Sequence, residues 1–100
     1  MNKEYFEKCY RRMMEDEDFA DIAVYICMPD LPSLETISNP KGNQEKKLEY
    51  YLKAYNDNMQ LNTFNQIYIH SLTGWNKSFG YWIHPFEIDD MNKDDEEELE

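Results

Sequence analysis

Apolar residues recur at helical spacing in two segments of the chain. Over residues 2–17 they fall three and four positions apart, which predicts a helix with one buried face. The positions on that face are Phe6, Cys9, Tyr10, Met13 and Met14. A second stripe over residues 44–59 predicts a second helix, and either Asn43 or Asn39–Pro40 is suited to start it. The members of that stripe are Leu48, Tyr51, Leu52, Tyr55 and Met59.

Four further segments have the pattern of strands. Asp21–Met28 is apolar on both faces, which favours a central strand that is at least partly covered on each side. Ser33–Ser38 predicts a short second strand. Phe64–Leu72 and Phe79–Ile88 predict a hairpin, and the turn-forming residues between them place its turn at residues 73–78.

The order of these elements is helix, strand, short strand, helix, strand, strand. It predicts an α+β fold with two helices and a small antiparallel sheet of three to four strands, with the helices on one face or split across both. Pro85 favours an edge position, or an end, for the last strand. We expect one domain over residues 1–88 and an acidic, disordered tail over residues 89–100. Its terminal Leu99–Glu100 resembles the residue pair left before a purification tag.

The acidic charge is concentrated at one end of the chain. The net charge is −11, and residues 87–100 hold nine acids and one lysine. The first 86 residues hold twelve acids and nine bases, a net charge of only −3. Such a chain repels nucleic acids and anionic membranes at long range, and it attracts a basic partner surface.

Cys9 and Cys27 are the two cysteines of the chain. The first residues are polar, so we expect no signal peptide, and no apolar run approaches the ~20 residues that a membrane span needs. These features predict a cytoplasmic protein whose free thiols pack as small apolar residues, with no membrane partner.

Candidates for catalytic or metal chemistry are few. His70 and His84 make a Cys₂His₂ set with the two cysteines, but no pair has the close spacing of a zinc site. The three glycines form no phosphate-binding loop. We therefore expect no metal, no cofactor and no enzymatic activity. An enzyme that pairs Cys27 with one of the histidines is the third alternative.

Aromatic residues on the predicted hairpin could stack on bases if basic residues accompanied them. Lys77 is the only base between residues 54 and 92, so we expect no direct binding of nucleic acid. The same aromatics are suited to anchor a protein interface, although Trp75 could instead fold back over the sheet. These aromatics are Tyr68, Trp75, Tyr81 and Trp82.

Two acidic stretches complete the candidate surface, Glu15–Asp18 and the residues from Glu87 onward. One interpretation is a solvated helix end followed by a solubilising tail. The other is phosphate mimicry, in which spaced carboxylates occupy a basic groove that normally holds nucleic acid and their field speeds the encounter. The candidate partner-binding residues are Glu15, Asp16, Glu17, Asp18, Trp75, Lys77, Asp89, Asp90, Asp94 and Asp95.

With these stretches, the chain resembles the small acidic inhibitors made by phages and other mobile elements, such as anti-CRISPR proteins and other DNA mimics. The shared properties are a length near 100 residues, an acidic and aromatic-rich composition, and an α+β pattern without catalytic signatures. No sequence motif contributes to the resemblance. It is carried by Glu15, Asp16, Glu17, Asp18, Asp89, Asp90 and Asp94 to Glu98.

The resemblance implies a non-enzymatic inhibitor of a nucleic-acid-handling protein, such as a Cas effector or a nuclease. It would act in the host cytoplasm if the chain is phage-encoded. The alternative is a generic acidic interaction module, such as an immunity protein, an antitoxin or an accessory subunit. An edge strand near Pro85 is also compatible with a homodimer.

Overall fold

Two helices pack on one face of an antiparallel sheet in the computed structural model, which describes residues 1–87. The elements are α1 (Lys3–Glu15), β1 (Phe19–Cys27), β2 (Glu35–Pro40), α2 (Gln44–Ala54), β3 (Gln60–Leu61), β4 (Phe64–Asn76) and β5 (Tyr81–Ile83). The predicted α+β class and element order are confirmed. The described sheet has five strands rather than three to four, because the two-residue β3 carries too short a pattern to be recognised.

The sheet has the order β2-β1-β4-β3, and β5 pairs with the end of β4. β1 is therefore central, as predicted, with Val24 opposite Ile37 on one side and Leu72 on the other. The predicted cover on both faces is wrong for the described residues, because the helices cover only one face. Their aromatic residues Tyr10 and Tyr51 meet over that face. No described helix is long and apolar enough to cross a bilayer.

α1 is held at both of its ends by side-chain contacts. The Asn2 side chain accepts a hydrogen bond from the Tyr5 N–H at 2.7 Å. At the other end, Lys41 Nζ donates to the carbonyls of Met14 and Asp16 at 2.9 and 3.2 Å. A cation there complements the negative end of the helix dipole and offsets the acids that follow. The fully buried positions of the helix are Phe6, Cys9, Tyr10 and Met13.

The second helical region uses both of the predicted starts, Asn39–Pro40 and Asn43. A 3₁₀ turn (Lys41–Asn43) follows Pro40, and α2 begins directly after it at Gln44. Asn43 occupies the N-cap position of α2, but its side chain makes no capping hydrogen bond.

α2 ends at Ala54, earlier than its apolar stripe predicts. A turn follows in which the Asn56 side-chain oxygen accepts from the Gln60 N–H at 3.0 Å. Met59 adopts a positive φ of 58° in this turn. The stripe continues past the helix because Tyr55 and Met59 are both buried in non-helical conformations. The spacing of apolar residues alone could not distinguish these two positions from helical ones.

A buried polar network joins β2 to both helices. Asn39 lies opposite Ile22 on the helix-covered face, and its side-chain nitrogen donates to the Ile22 carbonyl at 3.1 Å. The Gln44 side chain donates to the Asn39 carbonyl at 3.0 Å, and the Tyr51 hydroxyl donates to the Asn39 side-chain oxygen at 3.4 Å. Tyr10 extends the network to α1 by donating to the Gln44 carbonyl at 2.9 Å.

The hairpin turn lies further along the chain than predicted. β4 runs through residues 73–76, and the turn is formed by Lys77–Gly80, which we call the hairpin tip. The Asn76 side chain places it there by accepting from the N–H groups of residues 78 and 79, both at 3.0 Å. Trp75 therefore lies within a strand rather than in the turn. β5 ends at Ile83, just before Pro85, as the proline predicts.

Gly74 lies where Met13 of α1 and Phe19 pack directly against the backbone of β4. A Cβ atom at this position would lie 2.6 Å from Met13 Sδ and would collide with the Phe19 ring. The backbone of β4 therefore needs glycine here to admit these two buried side chains. Because neighbouring residues of a strand point to opposite faces, Trp75 projects from the face without helices.

The variant Gly74→Ala should lower the free energy of unfolding by about 1–3 kcal/mol, because an added methyl group overpacks this contact. Gly42→Ala is the matched control, since nothing lies within 4 Å of a Cβ at that exposed position. Urea unfolding monitored by circular dichroism compares the two variants. Equal midpoints for both variants would show that the core has room at Gly74.

Candidate protein-interaction site

The face of the sheet away from the helices is not covered by any described element, and we call it the open face. Cross-strand register defines its rows, because directly opposed residues share a face. Asp21 is opposite Trp75, which is opposite Trp82, and Tyr25 lies two rows further along the sheet. The residues that project from this face are Asp21, Ala23, Tyr25, Cys27, Thr36, Ser38, Tyr68, Ser71, Thr73, Trp75 and Trp82.

Trp75 and Trp82 form an indole pair at one end of the open face. Their ring centroids are 5.7 Å apart, and the rings meet edge to face at 67°. Trp82 keeps 42% of its surface exposed, whereas Trp75 is half-buried. Trp75 thus folds over the sheet, which was the alternative to projection from the turn. The pair still presents aromatic surface to solvent through Trp82.

The acidic loop, Glu15–Asp18, lies beside this end of the sheet. The Lys77 N–H donates to the Asp18 carbonyl at 2.7 Å, which joins the loop to the hairpin tip. Within the loop, the Asp16 side chain accepts from the Asp18 N–H at 2.9 Å. Glu17 and Asp18 are exposed, so their carboxylates are available to a partner.

The structure therefore brings six of the ten predicted partner-binding residues to one end of the molecule. They are Glu15, Asp16, Glu17, Asp18, Trp75 and Lys77. The other four lie outside the described residues, and they are Asp89, Asp90, Asp94 and Asp95.

Asp21 is a member of this site that sequence reasoning missed. Its Oδ2 accepts a hydrogen bond from the Ser38 hydroxyl at 2.7 Å. Its Oδ1 is buried and has no hydrogen-bond partner among residues 1–87. A buried carboxylate oxygen without a donor is costly and rare in proteins. The signal in the sequence was an acid inside an otherwise apolar strand.

The middle of the open face is lined by hydroxyl groups and aromatic rings. The Tyr25 and Thr73 hydroxyls lie 2.9 Å apart and share a hydrogen bond. Cys27 is half-buried rather than part of the core, and its hydrogen bond to the Tyr68 hydroxyl raises the pKa of that tyrosine. This face therefore combines rings and hydroxyls with very little charge.

The two histidines have separate environments, and within residues 1–87 neither is hydrogen-bonded to Cys27. His84 Nε2 lies 3.3 Å from the Tyr5 hydroxyl and 3.8 Å from Cys9 Sγ, while its Nδ1 accepts from the Phe86 N–H at 3.3 Å. His70 Nδ1 instead lies 3.0 Å from the Ser71 hydroxyl.

Burial shifts the pKa values of the Cys9 thiol and the His84 imidazole, which are in contact. It raises the pKa of the Cys9 thiol and lowers the pKa of the His84 imidazole. Both shifts favour the neutral forms, whereas a nucleophilic cysteine needs a thiolate beside a protonated base. No group of three or more potential metal-ligating side chains occurs within residues 1–87.

A second surface lies at the opposite end of the sheet, where β1 turns into β2. It is a shallow apolar cavity of about 370 Å³. Leu31 and Phe64 are 46% and 47% exposed at its rim. The cavity is lined by Met28, Pro29, Asp30, Leu31, Phe64 and Ile67.

Comparisons of the chain with protein-family models, with curated proteins and with solved structures give no significant match.

The His84 contact predicts a pH-dependent stability. Because burial lowers the folded-state pKa below the ordinary value of 6.5, the unfolded chain binds this proton more readily than the folded chain. The contribution of His84 is therefore fully present above pH 6.5 and is lost as the pH falls through the folded-state value.

The variant His84→Gln should flatten this part of the pH profile, because glutamine does not titrate. Urea midpoints at several pH values between about 7.5 and 5 compare the variant with the parent chain. An identical slope in both proteins would assign the pH dependence to other groups.

Proposed function

We propose that this chain is a non-enzymatic protein ligand that inhibits a basic, nucleic-acid-handling protein such as a Cas effector or a nuclease. The observation that carries the proposal is the 2.7 Å hydrogen bond from the Lys77 N–H to the Asp18 carbonyl. It places exposed carboxylates of the acidic loop beside the β4–β5 hairpin, which carries the indole pair. Charge and aromatic surface thus occur together on one side of the protein.

The acidic loop supplies long-range attraction to a basic partner. Glu17 and Asp18 are exposed, and Lys77 is the only base in the adjacent hairpin. Carboxylates at the rim of an interface mainly raise the rate of association and fix its orientation. A partner groove that normally binds phosphates carries the complementary charge.

The indole pair and the open face supply the contact itself. Tryptophan and tyrosine are enriched among the residues that carry most of the binding energy in protein interfaces. Interface cores are also depleted of charged residues. The open face has this character from the row of Ala23 to the row of Tyr68, where it carries hydroxyls and rings. These properties support a protein partner rather than nucleic acid.

A generic interaction module that does not compete with nucleic acid is the second candidate. The net charge of −3 over the first 86 residues favours it, because acids do not cover the described body of the protein. An immunity protein, an antitoxin or an accessory subunit would use the same open face. The proposed site of action of either candidate is the cytoplasm.

The first experiment reverses charge in the acidic loop. The double variant Glu17→Lys with Asp18→Lys should weaken partner binding by about tenfold, because each rim charge aids association modestly. Asp30→Lys with Asp57→Lys is the matched control, since it makes the same charge change at exposed positions. Asp30 lies in the turn after β1, and Asp57 contacts the N-terminal end of α1, about 20 Å from the loop along the helix.

The measurement is capture of proteins from a host lysate on the immobilised full chain, followed by binding assays with the purified partner. We expect a basic nucleic-acid-binding protein whose affinity falls as salt rises. Equal loss of binding in both double variants would reject a role for the acidic loop.

Competition with DNA or RNA separates the two candidate functions. Under the inhibitor proposal, nucleic acid displaces the chain from the partner. A ternary complex of partner, nucleic acid and chain would instead support the generic interaction module.

A further inference from the structure

We infer that Asp21, Trp75 and Trp82 form a receptor for an arginine side chain of the partner. The inference deepens the proposed function, because it names the group that the open face recognises.

The three residues form a single row across three strands. Asp21 of β1 is opposite Trp75 of β4, and Trp75 is opposite Trp82 of β5. All three project from the open face, because the neighbouring Gly74 is packed against Met13 on the other side. A carboxylate therefore stands at one end of an indole surface, within the same uncovered row.

The Asp21 carboxylate has unused acceptor capacity. Ser38 donates to Oδ2, whereas Oδ1 is buried and has no donor among the described residues. The side chain as a whole is half-buried, and its Oδ2, whose hydrogen bond with Ser38 is exposed, can accept a second donor from a partner. A donor that carries its own positive charge gains most from such a group.

Arginine fits this row better than lysine does. Its guanidinium is planar, stacks on aromatic faces and presents several donors in a fixed plane, so one of them can bind a carboxylate oxygen while the plane lies on an indole ring. The lysine ammonium is more strongly hydrated and meets a carboxylate as a point charge. Trp82 offers the exposed ring for stacking, and the nearby Glu17 and Asp18 attract the cation.

The chain offers a selective optical probe of this row. Trp75 and Trp82 are its only two tryptophans, so intrinsic fluorescence reports on the receptor. The full-length chain is titrated with a capped hexa-arginine peptide and with a capped hexa-lysine peptide of equal charge. Binding to acids elsewhere is common to both peptides. We expect the arginine peptide to change the tryptophan fluorescence and to bind about tenfold more tightly.

Two matched variants test the assignment. Asp21→Asn should reduce the affinity for hexa-arginine to that for hexa-lysine, whereas Asp57→Asn, with the same charge change at an exposed site, should leave the preference intact. Trp82→Ala, followed by calorimetry, should also remove the preference. Because Trp82 is exposed, this change spares the core. Circular dichroism confirms that each variant is folded.

Equal affinities for the two peptides, or an unchanged preference in Asp21→Asn, would overturn the arginine receptor. Such a result leaves the proposed function standing, because that function is judged by the acidic-loop variants and by competition with nucleic acid. Conversely, an arginine preference without displacement by nucleic acid would retain the receptor and support the generic interaction module.

Discussion

The close contact between α1 and the backbone of β4 at Gly74 determines the geometry of the candidate site. Because this residue has no side chain, Met13 and Phe19 can approach the strand closely enough to seal the core. The same contact directs Trp75 to the open face. It also holds the end of α1 near the end of β4, so the acidic loop between α1 and β1 meets the hairpin tip. The acidic loop and the indole pair are thus close together because Gly74 has no side chain to hold α1 away from β4.

A second inward-facing residue organises the other side of the site. Asn39 is fully buried, and burying an amide is costly unless its groups are hydrogen-bonded. Its bonds to Ile22, Gln44 and Tyr51 satisfy it and fix β2 against both β1 and α2. The adjacent Ser38 then projects from the open face, where it donates to Asp21. Trp75 therefore faces outward because Gly74 packs inward, and Ser38 faces outward because Asn39 packs inward.

The parts of the fold that could be predicted from the sequence are those with a local physical cause. The helical stripes and the apolar pattern of β1 could be recognised because each depends only on the spacing of nearby residues. The hairpin turn could not be located, because Gly74, Asn76 and Ser78 all favour turns and only the capping bonds of Asn76 select one. Most members of the candidate site were predicted, but their proximity was not, for a different reason. The acidic loop and indole pair are far apart in sequence and meet only through the sheet topology.

The distribution of charge over the described residues bears on how such a protein would compete with nucleic acid. A phosphate mimic needs carboxylates spaced along a surface at the repeat of a backbone. Here the exposed acids of the candidate site are Glu15, Glu17 and Asp18, all in the acidic loop at one end of the open face. The adjoining rows carry hydroxyls and rings, which bind by packing rather than by charge. The described body is therefore suited to anchor and orient a partner, with the acids setting the rate at which that partner arrives. We therefore expect this surface to compete with nucleic acid by steric overlap at the partner's basic groove, rather than by imitating a chain of phosphates.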